Sequence, residues 1–490
     1  MSSDYFSIAS ISPLSSITAG ARIHVIGVCG VAMAQMALLL AKQGYQVSGS
    51  DKEFYEPMGS LLRSSSVLLY QGYNAENLAD NPALILIGNA VSRDHPEVVE
   101  TQRRKLPYTI FPQLLHELCI GSRHSIAVTG THGKTTTAAL GAFLLTKMGQ
   151  SPSYFVGGAS PDLPETLAAG AGSVSIVEGD EYDSAFFAKV PKFRFYRPKT
   201  AIITSIEFDH ADIYPNIESI DREFDGLLAL LGKEGTAVCC IDDGGVRRLV
   251  ERWSGRAGAP RIVTYGTGTR ANVCLAQVKQ VGAKQELSVR LVSGRVVTAE
   301  LSLPGLYNAR NATGLLAAFE HDGYQVDGAC ATMMLFQGVK RRQEIRFDGT
   351  VTLVEDFAHH PTAVRETVQG IRDRFPGRRL WAVFEPRSNT SRRKIFQGDY
   401  ERAFDQADVV LLCAVTVRAI DASHELLSIE DLVTGIRERG KLVRAFGTAA
   451  EVAAVIVQEV QPGDVVLLMS NGAFGGIPAM LEDEFRRKFK

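Results

Sequence analysis

The stretch from Ser125 to Thr137 constrains the fold of this chain most, because it joins an apolar strand, a glycine loop and a helical pattern. The loop reads Gly130-Thr131-His132-Gly133-Lys134-Thr135. Such glycines let backbone N–H groups face an anion, the lysine suits terminal phosphates, and the threonine hydroxyl suits Mg²⁺. The sequence therefore predicts a nucleotide-phosphate loop followed by a helix over Thr136–Met148, whose N-terminal dipole favours anions.

The loop is a variant of the general P-loop. That pattern places a glycine five positions before Gly133, where this chain has Val128. An ordinary strand-to-helix turn with an incidental lysine is the alternative, and the run Gly-Lys-Thr-Thr-Thr directly after an apolar strand disfavours it. We expect Lys134 to lie exposed on the loop. The predicted ATP-phosphate residues are Gly130, Thr131, His132, Gly133, Lys134, Thr135 and Thr136.

Length and charge exclude several classes of protein. A chain of 490 residues, 45% of them hydrophobic, predicts about three domains with buried cores. Its net charge of −2 offers no basic excess for nucleic acid. Scattered cysteines without a CxxC motif predict reduced thiols in a cytoplasmic protein. No apolar run or signal-peptide pattern indicates a membrane, and residues 1–20 are predicted to be a loosely held extension.

A second glycine motif precedes the phosphate loop. The predicted strand Arg22–Val28 runs into Gly27-Val28-Cys29-Gly30, a helix over Met33–Gln43 follows, and a strand over Gln46–Gly49 leads to Asp51. This is a Rossmann-like βαβ unit with an acid about 20 positions past its glycines. A simple βα turn is the alternative, because G-x-x-G alone is a weak signal. Another strand, Ala83–Ile87, ends in small and polar residues that suit a ligand edge.

Acidic residues follow two strands of the central region. Ser173–Glu178 is predicted to be a buried strand that ends in a carboxylate, beside the phosphate-loop strand. More acids follow at Asp180, Glu181 and Asp183. A solvated loop is the alternative to a metal ligand here. The strand Thr200–Ser205 leads to His210, which two aspartates flank and which is a candidate for a second Mg²⁺.

The remaining chain changes pattern twice. Strands are predicted over Arg261–Tyr265 and Glu286–Leu303, before a helix on which Asn308 and Asn311 share a face. Buried amides there suit an adenine edge, and helix capping by Asn308 is the alternative. A new βαβ rhythm then begins near Gly338, and its strands deliver polar or glycine residues at their carboxyl ends, where ligands of parallel sheets bind. These strands are Val351–Glu355, Leu380–Glu385, Val409–Ala414 and Val465–Met469.

Taken together these motifs resemble the Mur ligase family of peptidoglycan synthesis over about residues 20–490. They are the phosphate loop, the strand ending at Glu178, Asp209-His210, Asn308-x-x-Asn311, Lys340-Arg341-Arg342 and His359-His360-Pro361. The resemblance implies an α/β fold of three domains, Rossmann-like, P-loop ATPase and Rossmann-like in chain order. After the extension at 1–20, the expected domains are 21–123 for a UDP-sugar, 124–338 for ATP and 339–490 for the acceptor.

The resemblance also implies a set of site residues. Lys134, Glu178 and His210 would be catalytic, and Thr135, Glu178 and His210 would hold Mg²⁺. Asn308, Asn311, Arg342 and Asp356 would complete the ATP site, although Tyr307 stands where family members commonly carry histidine. The UDP-sugar residues would be Gly27, Cys29, Gly30, Val31, Asp51, Asn89 and Ser92. Those of the acceptor would be Arg387, Ser388 and Asn389.

The implied activity is ATP-dependent ligation through an acyl phosphate. Three stretches, 178–187, 385–390 and 469–477, favour joining UDP-N-acetylmuramate to the tripeptide L-Ala-γ-D-Glu-meso-diaminopimelate in peptidoglycan recycling. Ligation of L-alanine to the same sugar nucleotide is the alternative within the family. Outside the family, the alternative functions are a nucleotide-driven switch and a dinucleotide-dependent oxidoreductase. The expected partners are small molecules only, with the protein monomeric or weakly dimeric. No lysine occurs between Thr200 and Gly232, so we expect no carbamate bridge at the metal.

Overall fold

Three successive stretches of the chain each build a main sheet in the computed structural model, which describes residues 5–416 and 425–489. Apolar runs form the inner strands of each sheet, and helices connect the parallel strands. The predicted α/β class is confirmed.

The first stretch is a Rossmann-like domain. Its elements are β1 Arg22–Ile26, α1 Val31–Lys42, β2 Gln46–Asp51, α2 Met58–Arg63, β3 Leu68–Gln71, β4 Leu84–Ile87, α3 Pro96–Arg104, β5 Tyr108–Ile110 and α4 Phe111–Leu115. The strands pair in parallel in the order β3-β2-β1-β4-β5. The chain order reverses between β1 and β4, so the loops after these two strands face the crevice where ligands of such sheets bind.

The N-terminal extension is not loosely held over its described part, contrary to the prediction. Phe6 is 2% exposed, and its ring centroid lies 4.9 Å from that of Tyr108 and 5.7 Å from that of Phe187. The backbone N–H of Leu14 donates to the carboxylate of Glu117 at 2.7 Å. The signal was present in the aromatic residues at the chain start, which a composition rich in serine obscured.

The second stretch carries the phosphate loop. Its elements are β6 His124–Thr129, α5 Lys134–Lys147, β7 Ser153–Phe155, β8 Leu167–Ala168, β9 Val174–Gly179, β10 Asp183–Ala185, β11 Ala188–Pro191, α6 Phe193–Tyr196, β12 Thr200–Ile203, α7 Ile217–Leu231, β13 Thr236–Cys240, α8 Gly244–Trp253 and β14 Arg261–Gly266. Strands β13, β12, β6, β9 and β7 pair in parallel in that order. The prediction that the acid-ended strand neighbours the phosphate-loop strand is confirmed.

The strand predicted over Glu286–Leu303 is wrong. That segment is an antiparallel hairpin, and a strand before it was not predicted. The elements here are β15 Val273–Val281, β16 Lys284–Arg290, β17 Val296–Leu301, α9 Leu306–Asp322 and α10 Val326–Thr332. Ser293 and Gly294 make the hairpin turn, with φ of +82° at Gly294. A serine–glycine pair between alternating strands is a turn signal.

The third stretch is again a parallel α/β domain. Its elements are β18 Glu344–Asp348, β19 Thr352–Asp356, α11 Pro361–Arg374, β20 Leu380–Phe384, α12 Gln397–Ala403, β21 Val409–Cys413, α13 Ile429–Glu438, β22 Leu442–Phe446, α14 Ala449–Glu459, β23 Val465–Met469 and α15 Ile477–Lys488. The order is β18-β19-β23-β20-β21-β22, antiparallel only between the first two. A buried apolar cluster lies on each face of the sheet.

The chain forms two compact units whose boundaries fall inside the central stretch. One contains the chain up to Ile206, Glu218–Thr264 and Ala317–Ala329; the other contains Glu207–Ile217, Tyr265–Leu316 and the chain from Cys330 onward. Among the described residues, no helix combines the length and the apolar character that crossing a bilayer requires. All seven cysteines are buried free thiols.

Candidate active site

The phosphate loop in the first unit needs its glycines for steric reasons. Gly130 has φ of +122°, and a Cβ there would lie 2.3 Å from Thr204 Oγ1. Gly133 has φ of +79° and caps the N-terminus of α5, which begins at Lys134 rather than at the predicted Thr136. The next strand end fixes the loop, because the N–H of Thr131 donates to the Ser205 carbonyl at 2.9 Å. The loop backbone is therefore held in shape by the protein itself.

Lys134 is buried, which corrects the expectation of an exposed side chain. It is 9% exposed, and its Nζ donates to Glu181 Oε2 at 2.8 Å and to the Gly130 carbonyl at 2.7 Å. Burial alone lowers the pKa of Lys134, but the carboxylates of Glu181, Asp180 and Glu178 outweigh burial and hold that pKa above its usual value. The ammonium is thus charged and already paired with a carboxylate.

Glu178 lies beside the threonine of the loop, and a metal site shared by the two stays a prediction. Thr135 Oγ1 donates to Glu178 Oε1 at 3.0 Å, and the N–H of Gly157 donates to Glu178 Oε2 at 2.8 Å. A Cβ at Gly157 would lie 2.9 Å from that carboxylate, so the glycine admits the close approach. A hydroxyl and a carboxylate oxygen are hard ligands of the kind that Mg²⁺ prefers.

A second buried ion pair supports the acidic segment and was not predicted from sequence. Lys192 Nζ lies 2.7 Å from Asp180 Oδ2, and 4.0 Å from the ring centroid of Tyr182. Burial raises the pKa of Asp180, but Lys192 and Lys134 outweigh that effect and hold it below its usual value. Lysine at the end of a short hairpin carried no motif that would have singled it out. The pair fixes the segment after β9 from which Glu181 reaches Lys134.

The first glycine loop, also in the first unit, is organised around Asp51. Its Oδ2 accepts from the N–H of Cys29 at 2.8 Å, and its Oδ1 accepts from the Tyr73 hydroxyl at 3.0 Å. Burial and this carboxylate raise the pKa of Tyr73 to about 12. Gly27 has φ of +77°, and Gly30 caps α1, whose first residue Val31 is exposed. Asp51 therefore braces the loop, and a direct contact with a UDP-sugar stays a prediction.

The loop after β4 adjoins this glycine loop. A Cβ at Gly27 would lie 3.7 Å from Val91 Cγ2. Asn89 and Ser92 are exposed, and Ser92 Oγ donates to Asp94 at 2.5 Å. The structure thus brings the seven residues assigned to the UDP-sugar to the carboxyl ends of three neighbouring strands, β2, β1 and β4.

His210 belongs to the second unit and lies in a cluster of histidines. It has φ of +51°, and its N–H donates to Asp209 Oδ1 at 2.7 Å. Burial raises the pKa of Asp209, but His210, His359 and His360 outweigh burial and hold that pKa far below its usual value. His360 also lies 3.3 Å from Glu207. Its role as a ligand of a second Mg²⁺ stays a prediction.

The two asparagines assigned to the adenine side are buried at the start of α9. Asn308 and Asn311 are 4% and 7% exposed. Asn308 lies within the helix rather than at its cap, and its Nδ2 donates back to the Pro304 carbonyl at 2.7 Å. Asn308 Oδ1 and Asn311 Nδ2 have no hydrogen-bond partner among the described residues. Their unused acceptor and donor fit a heterocyclic base.

Arg342 and Asp356 lie near each other in the same unit. The Arg342 guanidinium lies over the Phe357 ring at 4.6 Å. Burial raises the pKa of Asp356, although Arg342 acts against this. The Asp356 carboxylate accepts from the backbone N–H groups of Gln343 and Ala358 at 2.7 and 2.6 Å. It therefore shapes the loop around Arg342, and its predicted contact with a ribose is untested.

The three acceptor residues follow β20 but differ in their surroundings. Ser388 Oγ donates to Ser391 Oγ at 2.9 Å, and Asn389 Oδ1 accepts from the buried Arg392 at 3.0 Å. Arg387 is exposed and lies across Gly472, where a Cβ would be 1.6 Å from its Nη1. The space beside that glycine is thus filled by Arg387. Asn389 Oδ1 is thus engaged within the segment, and a role of these three residues in acceptor binding stays a prediction.

The fold and these groups are typical of P-loop nucleotide-binding enzymes, with one parallel α/β domain before and one after the P-loop domain in the sequence. Three family models match the chain in order: the Mur ligase family catalytic domain at residues 22–123, the Mur ligase middle domain at 128–319, and the Mur ligase glutamate ligase domain at 340–472.

Two curated relatives and one solved structure are similar over nearly the whole chain. The UDP-N-acetylmuramate–L-alanyl-γ-D-glutamyl-meso-2,6-diaminoheptandioate ligase of Escherichia coli is 33% identical, covering 95% of this chain and 99% of that protein. The UDP-N-acetylmuramate–L-alanine ligase of Paenarthrobacter aurescens is 34% identical, covering 92% of this chain and 94% of that protein. A murein peptide ligase from Psychrobacter arcticus superposes with a TM-score of 0.69 at 29% identity, covering 95% and 98%.

The chain belongs to the Mur ligase family. It is a ligase of three α/β domains, and the family uses ATP.

Proposed function

We propose that the protein joins UDP-N-acetylmuramate to the tripeptide L-Ala-γ-D-Glu-meso-diaminopimelate in the cytoplasm, with conversion of ATP to ADP and phosphate. The observation that carries the reaction class is the buried group of Lys134, Thr135 and Glu178 at adjacent strand ends. The choice of acceptor rests on the tripeptide ligases of Escherichia coli and Haemophilus influenzae, which match 95% of this chain.

The chemistry requires two anions to meet. A carboxylate is a poor acyl donor, so the muramate carboxylate first attacks the γ-phosphorus of ATP, ADP leaves, and an acyl phosphate forms. The peptide amine then attacks the acyl carbon and loses a proton, and phosphate leaves as the amide bond forms. Lys134 and the N-terminus of α5 supply positive charge where the phosphates bind. Catalysis is then mainly positioning and charge stabilisation, and no covalent nucleophile of the protein is needed.

The oxygen donors of this region fit Mg²⁺. The hydroxyl of Thr135 and the carboxylate of Glu178 converge within 3.0 Å and are the predicted ligands, with His210 for a second ion. When bound, the ion would screen the charge between the two anions. The hydrogen bond between Thr135 and Glu178 fixes the direction of both side chains.

Arg387 is the residue we assign to the acceptor. A tripeptide carries carboxylates that L-alanine lacks, and a guanidinium pairs with a carboxylate through two hydrogen bonds. Gly472 lets the Arg387 side chain lie flat against the loop after β23, and Arg341 donates to the Ser470 carbonyl of that loop at 2.9 Å. The guanidinium is therefore supported by a braced surface while remaining exposed.

The L-alanine-adding activity is the second candidate, because such ligases are up to 34% identical to this chain. Phosphate release with UDP-N-acetylmuramate and ATP, measured with the tripeptide or with L-alanine as acceptor, separates the two. We expect the tripeptide to give the higher kcat/KM. A preference for L-alanine would assign the chain to the second activity, and no release with either would remove both.

The acceptor assignment has its own test. Arg387→Ala should raise the KM for the tripeptide by roughly 10- to 100-fold, the equivalent of a charged hydrogen bond of about 1.5–3 kcal/mol. The KM for ATP and for UDP-N-acetylmuramate should barely change. Arg402→Ala, which removes an exposed arginine paired with Asp399 on α12, is the matched control. An unchanged tripeptide KM in Arg387→Ala removes that residue from the acceptor site.

A further inference from the structure

Gln343 is a buried amide with unused hydrogen-bonding capacity. It is 6% exposed, and neither its Oε1 nor its Nε2 has a partner among the described residues. Its backbone is also held in an unusual conformation, with φ of +52° and its N–H donating to Asp356. Burying such a group is unfavourable unless something else compensates.

The amide faces a patch with little side-chain bulk. A Cβ at Gly370 would lie 3.0 Å from Gln343 Nε2 and 3.1 Å from Gly305 Cα. A Cβ at Gly305 would in turn lie 2.8 Å from the ring of Tyr307. Gly370 stands inside α11, where glycine is less favourable than alanine by about 1 kcal/mol in the helix alone. Close approach of these segments explains the two glycines.

The two asparagines of α9 adjoin this patch. The N–H of Asn308 donates to the Gly305 carbonyl at 3.1 Å, and Asn308 Oδ1 and Asn311 Nδ2 are themselves unpartnered. Three buried carboxamides on neighbouring segments of one unit therefore retain free donors and acceptors. A packing role for Gln343 alone would be served better by an apolar side chain of the same length.

We propose that Gln343 is a specificity-determining residue that recognises the adenine of ATP, beside Asn308 and Asn311. A carboxamide presents one donor and one acceptor side by side, and adenine presents an amino donor next to a ring-nitrogen acceptor. At its N6 and N7 edge adenine pairs with both amide groups, whereas a 6-oxo purine presents two acceptors there, so one of them is mismatched whichever way the carboxamide is turned. This inference rests on the proposed ATP-dependent function, and it adds the residue that selects the base.

The test is the ratio of kcat/KM for ATP and ITP in phosphate release, with both other substrates saturating. Gln343→Met keeps the length of the side chain and removes both polar atoms. We expect the ATP/ITP ratio to fall about 10-fold or more, within the range for one base contact. The KM for UDP-N-acetylmuramate should not change, and the melting temperature without nucleotide should equal or exceed that of the wild type. Gln285→Met, at a buried amide in β16 whose Oε1 is also unpartnered, is the matched control.

Binding of ADP and IDP, measured by calorimetry, separates this inference from the proposed function. If the wild type prefers ADP but Gln343→Met keeps that preference, Gln343 is a packing residue and the inference is overturned. If the wild type binds ADP selectively yet catalyses no ligation, the proposed function fails while Gln343 is still tested by binding. Should Gln343→Met not fold, Gln343→Asn withdraws the amide by one methylene and must give the same loss of preference.

Discussion

The two glycine loops of the first unit have the same local architecture and opposite electrostatics. Both follow a parallel strand and lead into a helix capped by glycine, Gly30 at α1 and Gly133 at α5. In the first, the buried carboxylate of Asp51 accepts hydrogen bonds from the loop backbone and from Tyr73. In the second, a buried ammonium, Lys134, takes that central place and pairs with a carboxylate from another strand end.

The two loops share the strand–loop–helix scaffold and differ in the sign of their buried charge. We expect that charge to decide what each loop binds. In the first loop the buried charge is negative, so we expect an anion there to depend on backbone donors. A loop with Lys134 can concentrate charge on a triphosphate. The difference lies in single residues that alter neither strand order nor helix position.

The largest effect is expected from Lys134→Ala, which removes the charge that distinguishes the second loop. Ligation should fall by at least about 100-fold, as when one preorganised charge stabiliser is lost. The fold should also weaken by about 3–5 kcal/mol, because the carboxylate of Glu181 is left buried without its cation. Steady-state phosphate release and denaturant unfolding measure the two effects.

A double variant separates activity from stability. In Lys134→Met with Glu181→Gln no buried charge is stranded, so most of the lost stability should return while ligation stays abolished. Wild-type turnover in Lys134→Ala would refute the assignment of the lysine. Equal stability of Lys134→Ala and the wild type would show that the ion pair is not maintained in solution.

A smaller effect is expected from adding one methyl group to each loop. Gly130→Ala combines φ of +122° with a contact of 2.3 Å and should cost roughly 2–5 kcal/mol from strain and overpacking together. Gly27→Ala, with φ of +77° and 3.7 Å to the nearest atom, should cost only about 1–2 kcal/mol. Gly44→Ala, where φ is +91° and no atom lies within 4 Å, controls for backbone strain alone. Equal costs at Gly130 and Gly27 would contradict the steric argument.

At the lower end of the scale, we expect removal of bicarbonate to leave the rate of phosphate release unchanged. A lysine carbamate forms on a neutral amine, and neighbouring carboxylates hold the pKa values of both Lys134 and Lys192 above their usual value despite burial. No lysine lies between Thr200 and Gly232 to take that role. Phosphate release should be equal in bicarbonate-stripped and replenished buffer. Activity that is lost and then restored would require a carbamate.

Inner parallel strands were predictable from sequence, because burial on both faces leaves an unbroken apolar run. Val465–Met469 has the same bounds in the sequence prediction and in the structure. Strand β15 was missed, because its exposed end carries Gln277, Lys279 and Gln280, which interrupt that run. The hairpin of β16 and β17 was predicted as one strand, because only a serine and a glycine mark its turn in the sequence.

The phosphate-loop residues and Glu178 were predictable because they follow a spacing that the chemistry demands. Which of the remaining acids would pair with Lys134 was not, since Asp180, Glu181 and Asp183 all follow the same strand. The direction in which each side chain leaves the loop depends on the Asp180 contact with Lys192, twelve residues away. Residues that pair only through tertiary packing have no fixed spacing in the sequence, so these pairs could not be predicted from it.

The burial of Phe6 has a consequence for how the protein is made. Its aromatic partners include Tyr108 and Phe187, which leave the ribosome long after the chain start. At about 5–20 residues per second, Phe187 follows Phe6 by on the order of 10–40 s. During that interval a hydrophobic end of the nascent chain has no lasting place to dock, and nascent-chain chaperones would meet it first. A tag fused to this end is therefore attached to a segment whose burial waits for Phe187.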